Sequence, residues 1–419
     1  MMRMLCVALL LCSASAVADR TGPLPTSASQ AQGFAPARLD RITSYLQAAV
    51  DQKQYTGAVT LVARRGRIVQ WQALGYRDVA RSDTMRPDAI FRIYSMTKPI
   101  TSAAALVLLE EGKLGLEDPV SRYLPAFAKM QVLEGDAAQV RPAARPITIK
   151  HLLTHTAGFA AGEKLHGPAV ERLEAARVYE SPSLEAYANA VAALPLASDP
   201  GTRFSYDGVN TEVLARIIEV SGGLPFDEFV RRRVLDPLRM IDTDFSVPPA
   251  KRERIVEMTS TDETGGLVVV SGPNAPGERL KHYPSGAGGL YSTAADYVRF
   301  CQMLLNGGEL DGARILGRKT VELMMANHLG QLSPPVNEFN DGEGFGLGGY
   351  VVLDPARRGL LGSVGQFGWS GAAATWFFID PQEQLIAILM MQHLPRHLPA
   401  DPPRLGRPFN ALVYQALVN

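Results

Sequence analysis

Ser95-Met96-Thr97-Lys98-Pro99, followed by Ile100, Ala103, Ala104, Leu106, Val107 and Leu108, is the stretch whose reading decides the fold. The apolar spacing predicts a buried helix over 95–111, with Gly112 and Gly115 ending it. Spacing of i,i+3 puts the Ser95 hydroxyl and the Lys98 ammonium on one helix face, within reach of each other. A serine at a helix N-terminus also meets a positive local potential and free backbone N–H groups. Both stabilise an oxyanion developing on a bound acyl group. Pro99 falls in the first turn, where its missing N–H costs little. Taken alone, S-x-x-K fits an ordinary helix cap equally well, and its weight comes from what stands around it.

Upstream, residues 58–63 (Ala-Val-Thr-Leu-Val-Ala) and 68–71 (Ile-Val-Gln-Trp) flank Arg64-Arg65-Gly66-Arg67. Two β-rich runs around a glycine-containing turn predict an antiparallel hairpin. Downstream, 211–220 and 225–235 have helical period and are separated by Ser221-Gly222-Gly223. After residue 340 short β-rich runs return at 346–353, 372–379 and 385–391, and 411–418 reads as a closing helix after a proline-rich connector over 395–408. Strands at both ends with helices between predict an α/β (α+β) body: one antiparallel sheet built from distant segments, flanked by helices, with an inserted, mostly helical region. The expected division is 19–118 plus 281–419 for the α/β part and 119–280 for the helical part.

The chain has 419 residues, with 42 basic against 42 acidic side chains. A net charge of zero leaves no electrostatic footprint for nucleic acid. Residues 1–18 read as an export signal: Arg3, an apolar run from Leu5 to Cys12, then Ala16-Val17-Ala18 as a cleavage signal. This run is too short for a stable membrane span. Lipidation at Cys12 is the alternative, poorly served by Leu11 before it. The expected location is therefore periplasmic or secreted. Once that segment is removed Cys301 is the sole cysteine, which excludes an internal disulfide and a cysteine-based zinc site. Its helical context predicts a small buried core residue.

Four further strings surround S-x-x-K. They are Ile147-Thr148-Ile149-Lys150-His151-Leu152-Leu153-Thr154-His155-Thr156-Ala157-Gly158-Phe159, Pro200-Gly201-Thr202-Arg203-Phe204-Ser205-Tyr206, Pro284-Ser285-Gly286-Ala287-Gly288-Gly289-Leu290-Tyr291-Ser292-Thr293 and Gly368-Trp369-Ser370-Gly371-Ala372. Their order and spacing, from about residue 40 to 395, resemble the serine β-lactamase-like/penicillin-binding-protein superfamily, related to class C β-lactamases, and within it the family VIII carboxylesterases. That resemblance implies a β-lactamase/DD-peptidase-like fold and a cofactor-free, metal-free serine hydrolase acting on a small-molecule ester or amide. It implies Ser95 as nucleophile, Lys98 and Tyr206 as its base system, and the backbone N–H groups of Ser95 and Ala372 as the oxyanion hole. Trp369, Ser370 and Gly371 are implied to line the substrate. The chemistry is coherent, because an ammonium beside a phenol favours the phenolate, and such a pair can take a serine proton and later activate water.

Two departures from the superfamily pattern bear on substrate. The second motif is usually Tyr-x-Asn, whereas here it reads Tyr206-Asp207-Gly208, with Asn210 out of register. The third is usually Lys-Thr/Ser-Gly, and Trp369 stands where the carboxylate-binding lysine would be. Losing that cation weakens recognition of β-lactams and D-Ala-D-Ala termini, both carboxylates, and an indole suits an apolar acyl or alcohol group. Ester hydrolysis therefore ranks ahead of β-lactamase or D-alanyl-D-alanine peptidase activity, and a non-catalytic binding or sensor domain of the same fold comes last.

Other signals point elsewhere. His151 and His155 have the i,i+4 spacing of zinc ligands, but Leu152 replaces the catalytic glutamate of H-E-x-x-H, which favours a structural role. The G-x-G-x-x-G string from Gly344 to Gly349 precedes a β-like run rather than a helix, so it is no dinucleotide site. No G-x-S-x-G occurs, which removes the nucleophile elbow of α/β-hydrolases.

Overall fold

Gly57–Arg64 (β1) and Arg67–Gly75 (β2) form the expected hairpin, with Arg64 opposite Arg67. Arg65 and Gly66 take φ of +52° and +73°. Two successive positive φ values make the tight turn whose twist matches the strands it joins. In the computed structural model, which describes residues 22–134, 139–162, 164–270 and 275–419, five more strands complete the sheet. They are Glu343–Phe345 (β3), Tyr350–Val352 (β4), Phe367–Ser370 (β5), Trp376–Asp380 (β6) and Leu385–Met390 (β7). The order is β3-β4-β5-β6-β7-β1-β2 and every neighbouring pair is antiparallel. The export-signal reading of 1–18 lies outside the described residues, among which no helix is long and apolar enough to cross a membrane.

β1 is buried along its whole length because both sheet faces are covered. Alternate side chains point to opposite faces, and the two sets join two cores. Val59, Leu61 and Ala63 face one core with Ile386 and Ile388 of β7. Ala58 and Val62 face the other with Leu385, Ala387 and Leu389. Pro36–Asp51 (α1) covers the second face through Leu39, Ile42 and Leu46. Ala294–Leu305 (α4) packs on the first face, and Thr97–Glu110 (α2) and Val209–Gly222 (α3), which packs on α2, extend the same core. Cys301 of α4 is fully buried, as its sequence context predicts.

Several boundaries differ from expectation. Ser95 lies on a single 3-10 turn, Tyr94–Met96, and α2 begins only at Thr97. The closing helix is Gly406–Tyr414 (α5), not 411–418, and covers the same face as α1 through Phe409 and Val413. Pro408 fits its first turn, where no N–H is needed, so the proline-rich connector is shorter than it reads. The expected strand over 346–353 is confined to Tyr350–Val352. Residues 346–349 instead turn between β3 and β4, with the Gly346 N–H on the Gly349 carbonyl at 2.8 Å. Gly348 has φ +101°, and a Cβ there would stand 2.3 Å from Ser102 Oγ on α2. These glycines serve a close approach of backbone to helix.

Candidate active site

The turn bearing Ser95 is set by Tyr94, which takes φ +43°. Its neighbours are pinned by the Ile93 N–H on the Leu290 carbonyl at 3.0 Å and the Tyr297 hydroxyl on the Met96 carbonyl at 2.9 Å. Lys98 sits in the first turn of α2 and is only 3% exposed. A buried ammonium needs acceptors, and Lys98 Nζ has two: Ser95 Oγ at 3.2 Å and the Ala287 carbonyl at 2.8 Å. It also stands over the Tyr206 ring, 4.8 Å from the centroid. Lys98 thus meets the ring face of Tyr206. Among the described residues no hydrogen bond joins the Tyr206 hydroxyl to Ser95 or Lys98.

The 147–159 string supports Tyr206 from beneath. Thr148 caps Ile149–Leu153 by accepting the His151 N–H, while His151 Nδ1 accepts the Thr148 N–H. His155 is buried at φ +53° with its ring 4.7 Å from that of Tyr206. Burial, reinforced by the Lys98 charge, holds His155 far below the usual imidazole range and therefore neutral. Among the described residues no three His, Cys, Asp or Glu side chains are grouped so as to hold a metal.

Trp369 on β5 reaches across the cleft. Its indole Nε1 donates to the Tyr206 hydroxyl at 3.0 Å. The indole also meets Phe345 at 5.2 Å and Phe339 at 5.8 Å between centroids. Phe339 is 42% exposed at the rim, and its neighbour Glu338 accepts the Tyr206 backbone N–H at 2.9 Å. Past the strand, Gly371 donates to the Thr375 carbonyl at 2.8 Å, and a Cβ on it would come 2.4 Å from the Ile93 carbonyl. Only glycine lets this backbone lie against the Ser95 turn. Ala372 belongs to the turn after β5 rather than to the strand itself. Among the described residues, neither its N–H nor that of Ser95 donates to a protein acceptor.

A cavity of about 220 Å³ opens beside these groups, lined by Ser95, Lys98, Tyr206, Tyr179, Glu212 and Lys281 among others. Asp207, between Tyr206 and the Gly208 that stands at the usual Asn position, is buried and accepts the Asn210 N–H at 2.9 Å and its side-chain amide at 2.7 Å. The out-of-register Asn210 is therefore committed to the helix start, and burial pushes the Asp207 carboxyl up to about 6. Glu212 lies deeper, and burial pushes it up to about 7 against the opposing charge of Lys98.

The site thus unites the Ser95–Lys98 pair with Tyr206 and Trp369, which come from distant parts of the sequence. A sequence profile described as Beta-lactamase matches residues 42–406. The chain belongs to the Beta-lactamase family. Within that family it is 38% identical to Protein Rv1367c of Mycobacterium tuberculosis over 371 residues, 85% of this chain and 90% of that one. It is 30% identical to Esterase EstB of Burkholderia gladioli over 389 residues, 87% and 92% of the two chains. Among solved structures it is similar to EstCE1, described as a hydrolase with promiscuous acyltransferase activity, at TM-score 0.74 and 25% identity, covering 91% and 99%. This Beta-lactamase-family member is a serine hydrolase, related to esterases and acyltransferases.

The sequence reading did not find Ala287, Glu212, Glu338 or Phe339. Ala287 contributes a carbonyl, which any residue has, although it stands inside a string already singled out. Glu212 reads as one more polar position on a helix. No local signal marks Glu338 and Phe339, which arrive 132 and more residues after Tyr206.

Proposed function

We propose that the protein is an exported carboxylesterase acting on small or medium acyl esters through an acyl-enzyme on Ser95. The observation that carries this reading is Lys98 Nζ at 3.2 Å from Ser95 Oγ, beneath a Tyr206 whose hydroxyl is capped by Trp369. Ser95 Oγ attacks the ester carbonyl and its proton passes to the Lys98–Tyr206 pair. The N–H groups of Ser95 and Ala372 receive the oxyanion. The C–O bond breaks, the alcohol leaves with the proton, and a water deprotonated by the same pair releases the acid.

The apolar wall of Trp369, Phe339 and Phe345 favours an ester over a carboxylate-bearing β-lactam or peptide, since no cation stands at position 369. EstB, 30% identical, is named an esterase, which supports the same choice. Export rests on the sequence of residues 1–18. Short and long p-nitrophenyl esters assayed beside a chromogenic cephalosporin test the reading. Turnover of the esters with weak or no cephalosporin hydrolysis is expected. Stable penicillin acylation of Ser95 without ester turnover overturns it, as does unchanged p-nitrophenyl butyrate hydrolysis by Ser95→Ala.

A further inference from the structure

Glu212 on α3 is a carboxyl group that none of these steps uses, and it is 1% exposed. Its Oε1 accepts the Ser285 hydroxyl at 2.5 Å, and its Oε2 accepts the Gly286 N–H at 2.9 Å. The same short segment is held from α2: Thr101 Oγ1 donates to the Gly286 carbonyl at 2.8 Å, and Lys98 Nζ to the Ala287 carbonyl at 2.8 Å. A Cβ on Gly286 would stand 2.8 Å from Ala215 Cβ and 3.0 Å from the Thr211 carbonyl, so the segment lies directly on α3. Residues 285–287 are thereby clamped between two helices. The carbonyl that orients the Lys98 ammonium is placed through contacts made by Glu212.

Charge acts along the same line. Lys98 is buried with no carboxylate in hydrogen-bond contact, and its charge acts on both Glu212 and Asp207. Other titratable groups face Glu212 from each element packed around it. They are Lys281 and Tyr283 from the segment before residue 285, Tyr179 from the turn Val178–Glu180, and Tyr187 from the helix Leu184–Ala192. We infer that Glu212 is a positioning residue for acyl transfer. Through Ser285 and Gly286 it places the Ala287 carbonyl that orients Lys98. This inference rests on the Ser95–Lys98–Tyr206 reading of the site.

The test is kcat and KM for p-nitrophenyl butyrate in the wild type, Glu212→Gln and Glu212→Ala. The glutamine keeps both contacts, because the Ser285 hydroxyl can accept from its amide, and removes only the charge. With both contacts kept, the Glu212→Gln variant is expected to hold kcat within about threefold of wild type. Glu212→Ala is expected to lose about tenfold or more in kcat with little change in KM. A Glu212→Ala variant that keeps the wild-type kcat overturns the inference, and so does a Glu212→Gln variant that loses as much kcat as Glu212→Ala, since positioning through the two contacts requires the amide to rescue. If Glu212→Ala fails to fold, Ser285→Ala, which removes one of the two contacts, takes its place, and an unchanged kcat there overturns the inference. Labelling with a fluorophosphonate separates the two levels. A wild type unlabelled at Ser95 refutes the site reading itself, and a labelled wild type beside a Glu212→Ala variant of unchanged kcat refutes only the role of Glu212.

Discussion

The indole Nε1 of Trp369 donates to the hydroxyl of Tyr206 at 3.0 Å, and the two rings lie 4.8 Å apart. A side chain that replaces a carboxylate-binding cation has thus become a hydrogen-bond donor to a neighbouring phenol. Trp369→Phe keeps an apolar ring and removes the donor. A neutral hydrogen bond is worth about 1 kcal/mol net, so kcat for p-nitrophenyl butyrate should fall roughly three- to tenfold with KM nearly unchanged. An equal loss confined to KM would place the indole in substrate binding instead.

Phe339 covers the same rings from the rim, 5.7 Å from Tyr206 and 5.8 Å from Trp369, while 42% exposed. A longer acyl or alcohol group would lie against it. Phe339→Ala should lower kcat/KM for hexanoate esters about tenfold, the equivalent of one or two buried methylenes, and leave acetate esters within about threefold. A chain-length series measures this directly.

The rim is anchored from below by a buried ion pair. Glu343 Oε1 meets Arg358 Nε at 2.5 Å, with side chains 4% and 1% exposed, and its other oxygen accepts the Asn340 amide at 2.8 Å. Removing one partner strands a buried charge. Glu343→Gln should cost about 3 kcal/mol in urea unfolding, and Glu343→Leu/Arg358→Met together should recover most of it. Loosening of residues 337–340 should also raise KM for the longer esters in the single variant.

Asp296 on α4 supplies a pH-dependent term. It is 5% exposed, accepts the Asp242 N–H at 2.7 Å and the Thr243 hydroxyl at 2.8 Å, and burial pushes it up to about 6. A folded value above the unfolded one means the native state binds the extra proton. Stability from this group is therefore lost as pH rises from about 4 to about 6. Asp296→Asn lacks that loss. The stability advantage of wild type over the variant should shrink by roughly 2 kcal/mol between pH 4.5 and 7. A constant gap across that range contradicts the assignment.

Local patterns were legible where local physics decides them. The β1–β2 hairpin follows from an Arg-Gly pair that takes two positive φ values between β-rich runs. α2 follows from its apolar spacing, although Tyr94 in the left-handed region delays it past Ser95. Glu343–Phe345 and Phe367–Ser370 were not found as strands. Runs of three or four residues gain their extended form from sheet neighbours, and nothing within them declares it. The closing helix was set too late because Pro408 reads as a breaker but occupies a first turn.

The sequence by itself determined the family and the chemical identities in the cleft: a serine, a lysine three residues on, a tyrosine, and an indole where a cation usually stands. Such residues carry their chemistry wherever they are placed, and their order along the chain is enough to recognise them. Only the tertiary structure decided how they act on one another. The Trp369–Tyr206 bond joins residues 163 apart, and the Ala287 carbonyl reaches Lys98 across 189. Glu212 reaches Ser285 and Gly286 across 73 and 74 residues and is buried where they meet. Burial and long-range hydrogen bonding depend on which segments meet, and no window of sequence contains that information.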